Sequence, residues 1–303
     1  MASKVQDFKL EGIVTAPCTP FTPAGEVDYS KFLSLADHIE EYSNTCVFAN
    51  ETTGEGLSMT IEERKRTAEE WARLAKGRFS LILNVSCTNL KDACDLAAHA
   101  ELVGADAISA HTPLFFTPTS IESLVECLAT IAASAPNTPF YYYDINFMTA
   151  TNFDNGEVFA MAIEKIPTFR GMKQSSREIA YLVKSVLRSQ EGRYQVIIGN
   201  ELLLCGLPMG IRIPVCLPYA GRIFTRMVEA FDRGDMKAAA LEQERMQTIQ
   251  SLLKKYGGGA KKALSAIVGM DLGPSRLPIK DPTPEELDNM RKDVDRLGIK
   301  EYI

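Results

Sequence analysis

Lys173 is the residue whose type and place most invite chemistry. It closes the run Phe169-Arg170-Gly171-Met172-Lys173-Gln174-Ser175, within which a strand is predicted over residues 170–173. Lysine is rarely buried without a reason, and a neutral lysine at the end of a barrel strand can condense with a carbonyl. An ordinary lysine pKa of about 10.4 leaves well under about one per cent neutral at pH 7, so desolvation is expected to lower it. Tyr143 stands thirty residues earlier, about one βα unit away, which predicts neighbouring strands for the two. A phenol in hydrogen-bond reach can relay protons. Thr52 and Thr53 follow the second predicted strand and offer hydroxyls and backbone N–H groups. Two plainer readings stay open at this level: a strand-end lysine on a solvated rim, and Thr-Thr-Gly-Glu as a capped turn.

Other residues suggest less. The seven cysteines are odd in number and show no Cys-x-x-Cys spacing, as expected of reduced, mostly buried thiols. His38, His99 and His111 are not spaced as metal ligands, so no metal site is expected. Gly257-Gly258-Gly259 before Lys261 and Lys262 lacks the spacing of a phosphate-binding loop and reads as a break between helices. A net charge of −6 disfavours a nucleic-acid surface. No run approaches the roughly 18 apolar residues of a membrane span, and the first residues lack a signal-peptide apolar region, so a cytoplasmic protein is expected.

The elements that must position these residues alternate. Strands are predicted at 13–17, 46–49, 80–85, 107–110, 140–143, 170–173, 195–198 and 213–217, with amphipathic helices between them. Asp28, Thr60 with Glu63, Asn89 and Ser120 supply helix-start signals. Successive strands begin 33, 34, 27, 33, 30, 25 and 18 residues apart, so the seventh unit is cut short. Eight such units predict an α/β fold, a closed (β/α)8 TIM barrel. A doubly wound open sheet would want a Gly-x-Gly-x-x-Gly turn after an early strand, and none occurs. The expected division is a barrel over residues 1–235 and a C-terminal helical extension over 236–303.

Several motifs, in order and at barrel spacing, resemble the dihydrodipicolinate synthase and N-acetylneuraminate lyase superfamily. Thr52-Thr53-Gly54-Glu55-Gly56 resembles its Gly-Ser/Thr-Thr-Gly-Glu signature, Phe140-Tyr141-Tyr142-Tyr143-Asp144-Ile145 its fifth strand, and Gly171-Met172-Lys173 its Schiff-base strand. Further matches run from about Gly12 to Pro278, among them Gly273-Pro274-Ser275-Arg276-Leu277-Pro278, and the animal-type N-acetylneuraminate lyases are the most similar. The resemblance implies a class I aldolase. Lys173 would form an imine with pyruvate or a related 2-oxo acid, Tyr143 would relay protons, and Thr52 and Thr53 would bind the carboxylate, with Gly54 letting the backbone approach. It further implies a homotetramer with no metal or organic cofactor.

The sequence also departs from that pattern. Glu51 stands where the family has glycine, Asp144 and Asn146 where it has Asn or His and Pro, and Ala150 where it has glycine. The family's Gly-x-Asp-Glu after strand seven is Gly199-Asn200-Glu201, and its Gly-Ser-Thr-Tyr-Asn after strand eight gives way to Pro214-Val215-Cys216-Leu217-Pro218-Tyr219. These changes fall on the half that would read the substrate tail, where Glu51, Asp144, Ser175, Gly199 and Glu201 are the expected contacts. Glu51, Asp144 and Glu201 would suit a cationic or amine-bearing partner, stabilise an imine, or pair with Arg177 or Arg212. Three functions stay open. One is a lyase releasing pyruvate and N-acetylmannosamine from sialic acid. Another is an enzyme of the same chemistry acting on another 2-oxo acid, with an amine or aldehyde partner, as a synthase or hydro-lyase. The third is a non-catalytic barrel.

Overall fold

The computed structural model describes residues 2–175, 178–190, 192–199 and 202–303, with side chains from Val5 onward. Eight parallel strands close on themselves in chain order: β1 Val14–Thr15, β2 Cys46–Ala49, β3 Ser80–Asn84, β4 Ala107–His111, β5 Phe140–Asp144, β6 Phe169–Gln174, β7 Gln195–Gly199 and β8 Ile213–Cys216. Each is a short run rich in β-branched, aromatic or small apolar residues, with a helix packed between it and the next. The expected TIM barrel is what forms. β1 is shorter than expected, since only two of its residues pair with β2 and β8.

Alternation along the strands divides their side chains into two layers. Val14, Phe48, Ile82, Tyr141, Tyr143 and Ile197 pack inside the barrel. Their neighbours Val47, Leu83, Tyr142, Met172 and Ile198 join the larger core beneath the helices. The helix starts follow the capping chemistry in the sequence. Thr60 with Glu63 and Thr283 with Glu286 form reciprocal capping boxes, and Asn89 and Ser120 each cap one backbone N–H. Asp28 caps a short 3-10 turn, Tyr29–Lys31, that precedes the helix Phe32–Glu41. All seven cysteines are free, four of them buried.

Two features set the register at Lys173. Phe140 pairs with Phe169 but Tyr141 pairs with Gly171, so Arg170 is the extra residue of a bulge, and Tyr143 then faces Lys173 across the ladder. Gly171 is obligatory here, because a Cβ would meet the Gln195 carbonyl oxygen at 1.9 Å.

Among the described residues, the truncated seventh unit contains the one-turn helix Leu203–Gly206 and a 3-10 turn, Leu207–Met209. After β8 come the helices Gly221–Asp232, Met236–Tyr256, Ala260–Ile267, Pro284–Arg296 and Ile299–Tyr302. Gln250, Leu253 and Lys261 from this C-terminal part share a cavity with Lys173, so these helices cover the end of the barrel where the strands finish.

Candidate active site

The loop after β2 is shaped by its own backbone. Asn50 and Glu55 adopt left-handed conformations, at φ 59° and 56°. Gly56 has no room for a side chain, since a Cβ would lie 1.9 Å from the Asn50 carbonyl oxygen. Gly54 packs against the segment after β1, where its carbonyl accepts the Thr19 hydroxyl at 2.6 Å. The close approach that Gly54 permits is therefore to the Pro17 carbonyl, 3.1 Å from where its Cβ would be, and the residue lines neither cavity of the site. Glu55 reaches the C-terminal part. It forms a buried ion pair with Lys262 at 2.9 Å and accepts the Arg276 backbone N–H at 2.8 Å. This clamp fixes Glu51, Thr52 and Thr53 at the barrel mouth.

Lys173 and Glu51 meet inside. The Lys173 Nζ donates to Glu51 Oε2 at 3.1 Å, and each side chain is at most 5% exposed. The ammonium also lies 3.9 Å from the centre of the Tyr143 ring and 4.7 Å from that of Phe48, within cation–π range. Tyr143 OH donates to Glu51 Oε2 at 3.3 Å and stands 3.3 Å from the Thr52 hydroxyl. The other Glu51 oxygen accepts the Thr53 backbone N–H at 2.5 Å. Three of the expected residues, Lys173, Tyr143 and Thr53, thus converge on one carboxylate, and Thr52 joins them through Tyr143.

This arrangement corrects the expected state of Lys173. Burial does press its pKa down, but the Glu51 carboxylate and the Tyr143 phenol more than offset burial, and the pKa lies above the ordinary lysine value. Burial raises that of Glu51, yet the ammonium groups of Lys173 and Lys261 and the Thr53 hydrogen bonds hold it below the usual carboxylate range. At rest the pair is therefore ionised. Burial pushes the Tyr143 phenol up, with Lys173 opposing and Glu51 reinforcing, so at neutral pH it holds its proton. His111, whose ring lies edge-on to Tyr143, is kept neutral chiefly by burial.

A cavity of about 210 Å³ holds Lys173, Tyr143, Glu51, Thr52, Thr53 and Lys261, with Ser175 and Gly199 also on its wall. It adjoins a mouth of about 1050 Å³, with which it shares Glu51, Thr52 and Lys261. Asp144 does not belong here. It follows inward-facing Tyr143 on the same strand and so points to the helix layer, where it accepts Asn155 Nδ2 at 2.8 Å. Arg212 bonds the Leu207 carbonyl and Asp232, so it is not the partner of Glu51. Glu201 and Arg177 lie outside the described residues. Of the expected mouth carboxylates, Glu51 lines the cavity and is paired with Lys173, while Asp144 turns away from it.

Lys261 is the site residue that sequence reasoning missed. Its Nζ comes within 3.4 Å of the Thr53 hydroxyl, but in the sequence it follows a triple glycine that reads as a break between helices. Nothing local marks it, because its place depends on how the C-terminal helices fold back. Among the described residues, no three His, Cys, Asp or Glu side chains converge as metal ligands, and no helix is long and apolar enough to cross a membrane.

A parallel barrel with a buried lysine at the end of one strand, a phenol on the next and a hydroxylated loop opposite has the architecture of an imine-forming aldolase. Comparisons with known proteins agree. Residues 9–297 match the dihydrodipicolinate synthetase family. N-acetylneuraminate lyase of Sus scrofa is 34% identical over 97% of this chain and 95% of its own length. The Homo sapiens enzyme of that name is also 34% identical, over 93% and 90%. The solved structure of Proteus mirabilis N-acetylneuraminate lyase superimposes with a TM-score of 0.91 at 31% identity, covering 96% of this chain and all of that one. The chain belongs to the dihydrodipicolinate synthetase family, and with it to the class I aldolases, carbon–carbon lyases that work through a lysine Schiff base.

Proposed function

We propose that Lys173 is the Schiff-base lysine and that the enzyme makes or breaks a carbon–carbon bond beside the carbonyl of a 2-oxo acid. The observation that carries this reading is the buried Lys173 ammonium held 3.1 Å from Glu51 and against Tyr143. Attack requires the free amine, and Glu51 is placed to take its proton. The nitrogen then adds to the carbonyl carbon. Tyr143 protonates the departing hydroxyl and is reprotonated by Glu51 across their hydrogen bond, and water leaves to give an iminium ion opposite the Glu51 carboxylate. Cleavage sends the electrons of the adjacent C–C bond into the iminium as an enamine, while the hydroxyl of the departing fragment passes its proton through Tyr143 to Glu51 and becomes an aldehyde. Protonation of the enamine carbon and hydrolysis by water then free the 2-oxo acid and Lys173. Thr52 orients the Tyr143 phenol, and Glu51 carries the charge opposite the iminium.

The relatives are named for N-acetylneuraminate, but the walls here favour another acceptor. Val215, on the inner face of β8, presents an apolar side chain to the Lys173 cavity. Tyr219 is fully buried in the core beneath the helices and lines neither cavity, so its hydroxyl is not offered to a substrate. A sugar chain needs hydrogen-bond partners along its length, and an unmatched hydroxyl costs about 1–3 kcal/mol. The proposed acceptor is thus a less hydroxylated aldehyde. Glu51 pairs with Lys173 and Asp144 turns to the helix layer, so neither is placed to receive an amine-bearing partner.

The imine is itself the electron sink, so the proposed chemistry needs no metal or organic cofactor. A cytoplasmic homotetramer remains part of the proposal. The ring pair Phe115–Phe116, 87% and 85% exposed, is an apolar surface that assembly would cover. The test needs no knowledge of the acceptor. Pyruvate incubated with the enzyme in D₂O should exchange its methyl hydrogens, followed by proton NMR, and the Lys173→Ala variant should not. Absence of exchange in the folded wild type would sink the reading.

A further inference from the structure

A 2-oxo acid joined to Lys173 carries its carboxylate one bond from the imine carbon, inside the same cavity of about 210 Å³. A buried carboxylate needs a cation or N–H donors around it. The Thr53 N–H is already taken, because Glu51 Oε1 accepts it at 2.5 Å. Lys173 is spent on the imine and keeps Glu51 as its counter-charge. The cation that remains on the described wall is Lys261. Its Nζ lies 3.4 Å from the Thr53 hydroxyl, it is half-buried, and among the described residues no carboxylate is within ion-pair distance of it.

Charge counting leads to the same group. The charged side chains on the described wall are Lys173, Glu51 and Lys261, leaving one positive charge in excess. Once the iminium has formed, a donor carboxylate brings the sum to zero. Without Lys261 the occupied cavity would hold two negative charges against one positive.

The fold also holds Lys261 in place. It sits in the first turn of the helix Ala260–Ile267, and the next residue, Lys262, is tied to Glu55 at 2.9 Å and to the Pro274 carbonyl at 2.8 Å. Gly259, at the start of this helix, has no space for a side chain against Asp281, whose Cα would lie 2.6 Å from a Cβ.

We propose that Lys261, with the Thr53 hydroxyl, is the anion receptor of this site and sets its preference for acidic over uncharged carbonyl donors. The proposal rests on the Schiff-base reading of Lys173. In it, the C-terminal helices decide donor specificity, and Glu51 occupies the backbone donor that would otherwise face the substrate carboxylate.

The test compares an acidic donor, pyruvate, with an uncharged one, hydroxyacetone. Each is titrated against the protein with borohydride present, and labelling of Lys173 is read by mass spectrometry. The quantity of interest is the half-saturating concentration of pyruvate divided by that of hydroxyacetone. In Lys261→Met this ratio should rise at least about tenfold, the lower end of what a hydrogen bond to a charged group contributes, and Lys261→Arg should recover most of the loss. A ratio unchanged in Lys261→Met would overturn the proposal. Labelling of the wild type by hydroxyacetone but not by pyruvate would do the same while leaving the Schiff base intact. No labelling of Lys173 by either compound would remove the Schiff-base reading, and this proposal with it.

Discussion

Replacing Glu51 with glutamine keeps the side chain's size and removes its charge. Two unit charges 3.1 Å apart in an effective dielectric of about 20 attract by about 5 kcal/mol. The amide oxygen can still accept from the lysine, a hydrogen bond worth about 1 kcal/mol, and the site relaxes around the change. We count only about 1.4 kcal/mol of the attraction as lost, which already means about tenfold more neutral amine at a given pH below its titration. Burial, which Glu51 and Tyr143 together offset in the wild type, is then opposed by Tyr143 without the Glu51 carboxylate. The assay is the rate of borohydride trapping with pyruvate across pH, scored by the pH at half-maximal rate rather than by the maximum, since Glu51 also moves protons in the reaction. In Glu51→Gln this midpoint should fall. A midpoint that stays put or rises would refute the argument that Glu51 keeps Lys173 charged.

Three further outcomes are expected. Tyr143→Phe should lower kcat by about 10²–10⁴-fold with a smaller effect on half-saturation by pyruvate, measured by steady-state kinetics, because the phenol moves protons rather than holding the donor. Lys262→Met leaves Glu55 buried without its cation and should cost about 3–5 kcal/mol in urea unfolding. The Glu51–Lys173 pair stabilises the fold above the ordinary Glu pKa of 4.5, where Glu51 is ionised. That contribution is lost as pH falls through the lower folded value, and at the alkaline end as Lys173 deprotonates above 10.5. The Tm advantage of wild type over Glu51→Gln should therefore shrink on acidification below about pH 4.5.

The barrel was legible because its strands recur at regular spacing and its helices begin with capping residues. Lys173 and Tyr143 could be paired from one βα interval. Asp144 was misplaced although the signal was there: if Tyr143 faces inward, the next residue on the strand faces out. The ionisation of Lys173 could not be read, since the Glu51 side chain that determines it lies 122 residues away in sequence. Lys261 was hidden for a related reason. A lysine after three glycines looks like a surface break until the helix it begins is seen folded over the barrel mouth.

The central claim is one covalent bond. Pyruvate and borohydride should add the mass of one reduced pyruvate to the wild-type protein, confined by peptide mapping to Lys173 and absent from Lys173→Ala. An adduct on another lysine, or none on a protein shown to be folded, would contradict the account.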